Sequence, residues 1–257
     1  GAATGGDEAA GAPASSQDWY LGYNPFESNH YYDGNMDHFT IWDYALSGSE
    51  IQATMGNVLN GDETGLVGYF DFNTGTGTTL TDQTSNDNDG TITGASWTGN
   101  GAPVTETTTA TNYSVSFDYM SGYAVSSLTS DEIFGDNYTF TVESWYKNDG
   151  VDSGNNQGYD DGANIVSNYK RSGGGDPYNN FTLSMVPENH GDIGTFNMQG
   201  AGSVERYDDG QWHHVVGIIE KTSENSATSI LYVDGEFISQ YELGESDFIS
   251  SYNKIYI

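Results

Sequence analysis

Apolar and polar residues alternate in short runs along nearly the whole chain, and clusters of Gly, Asn and Asp separate the runs. The pattern is carried by WYLGY (19–23), YYDGNMDHFTIWDYAL (31–46), GLVGYFDF (65–72), GTITGASW (90–97), YSVSFDY (113–119) and YTFTVESWYK (138–147). It continues through ANIVSNYK (163–170), NFTLSMV (180–186), WHHVVGIIE (212–220), TSILYVDGEFIS (228–239) and KIYI (254–257). A period of two in stretches rich in β-branched and aromatic residues predicts strands. Many short strands with almost no helical period predict an all-β protein, an antiparallel β-sandwich of jelly-roll type. Asp234-Gly235 between two alternating runs predicts a two-residue hairpin turn. Ser47-Gly48-Ser49-Glu50 has capping-box spacing, with Ile51 and Met55 four apart on one face, and predicts a helix of two turns at most. Residues 1–18, small and polar, read as a loop or linker, and 104–111 as an extended connector with a boundary near residue 105.

Composition narrows the classes of function. Among 257 residues, 37 are Asp or Glu and 6 are Lys or Arg, a formal net charge of −31. A surface of that sign excludes a nucleic-acid partner held by phosphate neutralisation. Aromatics at 14% and 34 Gly argue for a folded β protein rather than an acidic disordered tail. There is no cysteine, so stability must come from the core or from metal ions. No apolar run reaches about 18 residues and no basic, then apolar, leader opens the chain, so neither a membrane span nor a signal peptide is expected in it. Carboxylates in such excess are tolerable where salt screens them to about 8 Å or where divalent cations bind, which points to a saline, calcium-containing exterior and a secreted or cell-surface protein.

Two motifs carry a family resemblance: Gly210-Gln211-Trp212-His213-His214-Val215-Val216, and Leu231-Tyr232-Val233-Asp234-Gly235-Glu236. They resemble the laminin-G-like, or concanavalin-A-like, β-sandwich modules of bacterial-type surface repeat proteins. Ser116-Phe117-Asp118 and Phe140 to Tyr146 resemble that family's opening strands, and Asn35 to Trp42 followed by Ala45-Leu46-Ser47 its closing strand and exit turn. The order is split across the chain ends: the closing strand precedes the opening ones, and joining Ile257 to Gly1 restores the family pattern. Residues 1–60 then read as the C-terminal strands of a module, 61–104 as a flanking spacer or cap, and 105–257 as the N-terminal and central strands. Circular permutation and a unit cut from a tandem array both explain this. The array is preferred because no second copy is visible and the junction is uninterrupted. Either explanation predicts end-to-end association with neighbouring copies or pairing of the termini.

The acidic loops are candidates for calcium. Asp82, Asn86 and Asn88 offer side-chain oxygens at alternating positions before Gly90, although the terminal Glu of an EF-hand is missing and solvated Asx-turns explain the same residues. The loop 149–161 holds Asp152, Asp160 and Asp161 at what should be one rim, where the resemblance implies calcium and glycan binding. Asp37 and Asp118 bracket an ion if their strands are adjacent, or else cap turns. His213 and His214 point to opposite faces of a strand and cannot chelate one metal together. Tyr20, Tyr23, Tyr31 and Tyr32 with Trp19 form either a sugar-stacking platform or core and cross-strand pairs. Asn112, Asn137 and Asn180 are glycosylation sites only in a host with that machinery.

No enzyme is expected. The family's hydrolytic signature, E-x-D-x-x-E on one strand, is absent, Glu143 and Glu220 stand alone on theirs, and no HExxH, nucleophile elbow or phosphate loop occurs. The sequence reads as a non-enzymatic, calcium-stabilised adhesive unit of an extracellular repeat protein or filament. The alternative is a carbohydrate-binding module appended to a carbohydrate-active enzyme. Direct membrane insertion is not expected in either case.

Overall fold

The computed structural model describes residues 19–23, 31–105, 112–118, 121–128, 139–148, 163–167, 182–186, 195–198, 201–223 and 226–243. Along the chain come β1 (Trp19–Leu21), β2 (Gly34–Trp42), helix α1 (Gly48–Thr54), β3 (Leu66–Phe70), β4 (Thr79–Leu80), β5 (Gly90–Thr93) and β6 (Ser96–Thr98). Next are β7 (Ser114–Phe117), β8 (Tyr123–Ser126), β9 (Phe140–Lys147), β10 (Ala163–Ser167), β11 (Thr182–Val186) and β12 (Thr195–Met198). The last are β13 (Ala201–Gly202), β14 (Trp212–Ser223), β15 (Ser226–Val233) and β16 (Glu236–Leu243). Residues 254–257, read as a strand, lie outside the described residues.

The strands form two antiparallel sheets. Sheet I has the order β13-β12-β11-β10-β1-β8-β5-β4, and sheet II the order β16-β15-β14-β9-β2-β7-β6, with β3 also pairing β2. Alternation sends one set of side chains from each sheet into a shared core. Trp19 and Leu21 come from sheet I, and Met36, Val142, Tyr146 and Val215 from sheet II, all with no exposed surface. This is the antiparallel β-sandwich that the pattern predicts. Its strand order is split as expected: β1 lies between β10 and β8, and β2 between β9 and β7, so this chain's own early strands sit inside both sheets.

The segment read as a spacer or cap is woven into the sandwich. It supplies β4 and β5 to sheet I and β3 and β6 to sheet II, and Val67, Phe70, Leu80 and Ile92 share the common core. The reason lies in its period of two: Gly90–Thr93 alternates buried and exposed, as a half-covered strand must.

Sheet II is covered on its outer face as well. Strand β9 is therefore buried on both faces for seven of its eight residues. The cover is α1 with the turns around it, which close a second apolar cluster of Trp42, Leu46, Ile51, Leu66, Tyr69 and Val216 among others. Helix α1 begins with the predicted capping box: the Ser47 Oγ accepts from the Glu50 N–H at 3.3 Å, and the Glu50 carboxylate accepts from the Ser47 N–H at 2.7 Å. The predicted hairpin turn joins β15 to β16 with φ of +52° at Asp234 and +77° at Gly235, a pair of left-handed residues that matches strand twist.

Candidate functional site

Four tyrosines gather on the outer face of sheet I. In β1, Trp19 and Leu21 point into the core, so Tyr20 points out. In β8, Ala124 and Ser126 are buried and Tyr123 faces outward, across from Thr93 of β5. Gly22 turns the chain after β1 at φ +78°, and a Cβ there would stand 2.6 Å from the Phe117 ring, so only glycine fits. That turn delivers Tyr23, which bridges to Tyr31 across an antiparallel pair.

The rings of Tyr23 and Tyr31 stack with centroids 4.4 Å apart and planes 16° from parallel. Tyr123 lies 5.2 Å from Tyr23, and Tyr20 lies 6.2 Å from Tyr23 and 6.3 Å from Tyr123. All four are half-buried. Burial first, then the hydrogen bond and charge of neighbouring Tyr31, pushes the Tyr23 phenol up to about 12. Its hydroxyl thus stays protonated and able to donate across the neutral range.

Two of the aromatic residues considered for this platform do not belong to it. Trp19 and Tyr32 have no exposed surface, and the Tyr32 hydroxyl donates to the Lys147 carbonyl at 2.9 Å. The strand period puts 19 and 20 on opposite faces, and 31 and 32 likewise. Tyr123 was missed because β8 is short and flanked by Gly122 and Ser127 rather than by a long alternating run.

A second polar concentration lies on the outer face of sheet II beneath the α1 cover. His38, Thr40, Tyr69, Glu143, Trp145 and His214 line a cleft there with about 20 Å³ of free volume, room for roughly one water. The Glu143 carboxylate is 2% exposed and accepts from Trp42 Nε1 at 2.7 Å, Thr40 Oγ1 at 3.1 Å and Thr54 Oγ1 at 3.1 Å, with His214 Nε2 at 3.4 Å. His38 Nδ1 stands 3.0 Å from Asp37 Oδ1, in a bulge where His38 has φ +47°. The Asp37 carboxyl is raised by burial, opposed by its hydrogen bonds to His38 and to the Ala102 N–H. His38 Nε2 and His214 Nδ1 are buried without a hydrogen-bond partner.

The expected cation ligands are spread apart and largely committed. Asp82 is 4% exposed. Its Oδ1 accepts from the N–H groups of Tyr69 and Thr84, and its Oδ2 from Thr84 Oγ1 and the Asn88 N–H. Asn86 donates to the Val67 carbonyl at 2.8 Å. The bonds from the Tyr69 N–H to Asp82 and from Asn86 to the Val67 carbonyl tie the loop to β3. Asp37 and Asp118 lie beyond opposite ends of the paired stretch Gly34–Met36 with Val115–Phe117, so they do not bracket one ion. Asp118 caps a turn instead, accepting from the Ser121 and Gly122 N–H groups. Asp152, Asp160 and Asp161 lie outside the described residues. Among the described residues, no three His, Asp or Glu side chains are placed to hold a metal ion. Asn112 is half-buried and its Nδ2, the atom a glycan would take, donates to the Ala102 carbonyl at 2.7 Å. Asn137 and Asn180 lie outside the described residues.

His213 and His214 do face opposite ways. His214 enters the cleft, whereas His213 is clamped between two carboxylates, with Nδ1 2.8 Å from Asp234 Oδ2 and Nε2 3.1 Å from Asp209 Oδ1. No described helix is long and apolar enough to cross a membrane.

Comparison with known proteins places these features in a family. Neither the search of curated proteins nor that of solved structures gave a match. The family model of the concanavalin A-like lectin/glucanases superfamily, of laminin-G type, matches residues 120–257, from the threshold of β8 through β16. With more than half of the chain matched and a two-sheet antiparallel sandwich around it, the chain belongs to the concanavalin A-like lectin/glucanase superfamily.

Proposed function

We propose that this protein is a non-enzymatic, extracellular lectin-like module whose adhesive act is to bind a glycan on the outer face of sheet I. The observation that carries the reading is the cluster of Tyr20, Tyr23, Tyr31 and Tyr123, four half-buried rings gathered at the outer face of sheet I. Sugars present patches of C–H groups that pack on electron-rich ring faces, and hydroxyls that pair with phenols and threonines at the edge. Exposed aromatic area held together on a sheet face marks a contact surface more readily than isolated exposed residues do.

The absence of enzymatic function is supported by what the carboxylates are doing. Glu143 is enclosed and its oxygens are engaged by Trp42, Thr40 and Thr54, while Glu220 stands exposed on β14. Extracellular placement is supported by the family, whose modules are typically extracellular, and by the acidity. Stabilisation by calcium is part of the proposal and rests on the acid excess and the carboxylates of the 149–161 loop.

A printed glycan array probed with the protein in calcium-containing buffer tests the central claim. Retention on one glycan group, lost on Tyr123→Ala with the melting temperature unchanged, is the expected result. Retention that Tyr123→Ala and Tyr20→Ala leave intact moves the site elsewhere and refutes the platform.

A further inference from the structure

Within the tyrosine cluster, one pair has a geometry that a contact surface does not require. Tyr23 and Tyr31 are direct partners in an isolated antiparallel bridge. Side chains placed in this way start within about 5 Å of each other. Here the rings lie within 16° of parallel, with centroids 4.4 Å apart, and the two hydroxyls share a hydrogen bond. Parallel rings that meet hydroxyl to hydroxyl also bring together the Cε carbons ortho to those hydroxyls. The other neighbours of Tyr23 lack this match: Tyr123 is 5.2 Å away and tilted by 31°, and Tyr20 is 6.2 Å away and edge-on at 71°.

The backbone on either side of the pair is fastened. The Gly22 N–H donates to the Ile165 carbonyl at 2.8 Å, and the Tyr32 N–H donates to the Gly22 carbonyl at 2.9 Å. Ser167 Oγ donates to the Tyr23 carbonyl at 2.7 Å, and the Tyr32 side chain beside Tyr31 is fully buried. The two phenols are therefore held at the separation of a reacting pair. Both are half-buried rather than enclosed, so an oxidant reaches them.

We propose that Tyr23 and Tyr31 form an oxidative cross-linking site, at which a haem peroxidase with hydrogen peroxide joins the two rings as dityrosine. Each phenol gives up one electron and its hydroxyl proton and becomes a phenoxyl radical, with much of its spin at the ortho carbons. A C–C bond forms between the two Cε carbons, and the hydrogen on each coupled carbon then moves through solvent to its oxygen, which restores the phenols. Hydrogen peroxide takes up the two electrons and two protons and leaves as two waters. Ring contacts from Tyr23 to Tyr20 and Tyr123 let a radical formed on either of these reach the pair. The chain has 19 Tyr and no Cys, so it has no disulfide to brace it and no thiol to consume the oxidant first. The new bond ties the exit of β1, in sheet I, to the approach to β2, in sheet II. This goes beyond the glycan-binding reading and stands without it.

The test treats dilute protein, with no saccharide present, with peroxidase and equimolar hydrogen peroxide, followed by digestion with a Glu-specific protease and mass spectrometry. Cleavage after Glu27 separates Tyr23 from Tyr31, on peptides 9–27 and 28–50. The expected product is these two peptides joined, two hydrogens lighter than their sum, with dityrosine fluorescence. Tyr23→Phe and Tyr31→Phe should each abolish the link, whereas Tyr20→Phe and Tyr123→Phe should keep it, all four melting as wild type does. Oxidation in denaturant should lower its yield roughly tenfold or more, because the fold supplies the proximity. Equal yield in denaturant, a link that survives Tyr31→Phe, coupling mainly through other tyrosines or between chains, or no dityrosine at all overturns the proposal.

Discussion

His213 shows how a single side chain links a loop to the sheet. It reaches Asp234 in the β15–β16 turn and Asp209 in the segment leading into β14, and the Tyr207 ring meets its edge at 5.0 Å. The hydrogen bond to Asp234 raises the imidazole above its ordinary value, with Asp209 adding to this and burial opposing it. A histidine raised on folding contributes stability that is complete below its unfolded value and is lost as pH rises through the folded one. The melting temperature of wild type should therefore exceed that of His213→Asn by more at about pH 6 than at about pH 9. A gap independent of pH in paired thermal melts removes the charge from this account. The pairing with Asp234 was not legible in the sequence, because Asp234 meets His213 only through the register of β14 with β15, whereas Asp209 lies four residues before His213 along the chain. What could be read was that adjacent histidines on a strand part company, since that follows from the strand period alone.

At the scale of the element, local chemistry was the most readable layer. The capping box at Ser47 and Glu50 and the Asp234-Gly235 turn are set by residues within a few positions of one another, and both formed as expected. Removing the Ser47 hydroxyl by Ser47→Ala should cost about 1 kcal/mol, read as a lower denaturant midpoint at constant slope, while Ser47→Gly should cost only a few tenths. An unchanged midpoint in Ser47→Ala would mean that the cover over Trp42 and Glu143 does not depend on how α1 starts. Strands β8, β12 and β13 were harder to see, because runs of two to four residues carry too few alternations to register a period. The tyrosine platform was half-legible for the same reason. Its β1 and bridge members stood in an aromatic run, and its fourth ring came from β8.

The whole molecule carries −31 charges without disulfides, and self-repulsion of that size opposes compactness. If an extracellular-type site binds calcium with a dissociation constant near 0.1 mM and free calcium is about 10 mM, occupancy adds roughly 2.7 kcal/mol per site. Adding chelator at constant ionic strength should then lower the melting temperature by several degrees, and an unchanged value withdraws calcium from the proposal. Sandwich, split order and family were open to sequence reasoning because period and motif spacing are local signals that recur. Which acidic residues converge depends on loops and long-range register, and there Asp37, Asp82 and Asp118 each proved to serve a separate hydrogen-bonded turn or bulge.

The position of β2 between β9 and β7 also sets a timetable. On a ribosome making about 5 to 20 residues per second, β2 emerges some 5 to 20 seconds before β9 can pair with it. Through that interval the ribbon Gly34–Trp42, with seven of its nine residues destined to be buried, can pair with β3 and then β7 on one side, but its β9 side stays open. Its vacancy in a nascent sheet II fits the same ribbon from any other molecule equally well. Crowded synthesis or concentrated refolding should therefore yield exchanged dimers in which each chain lends its early strands to the other, whereas dilute refolding favours monomers.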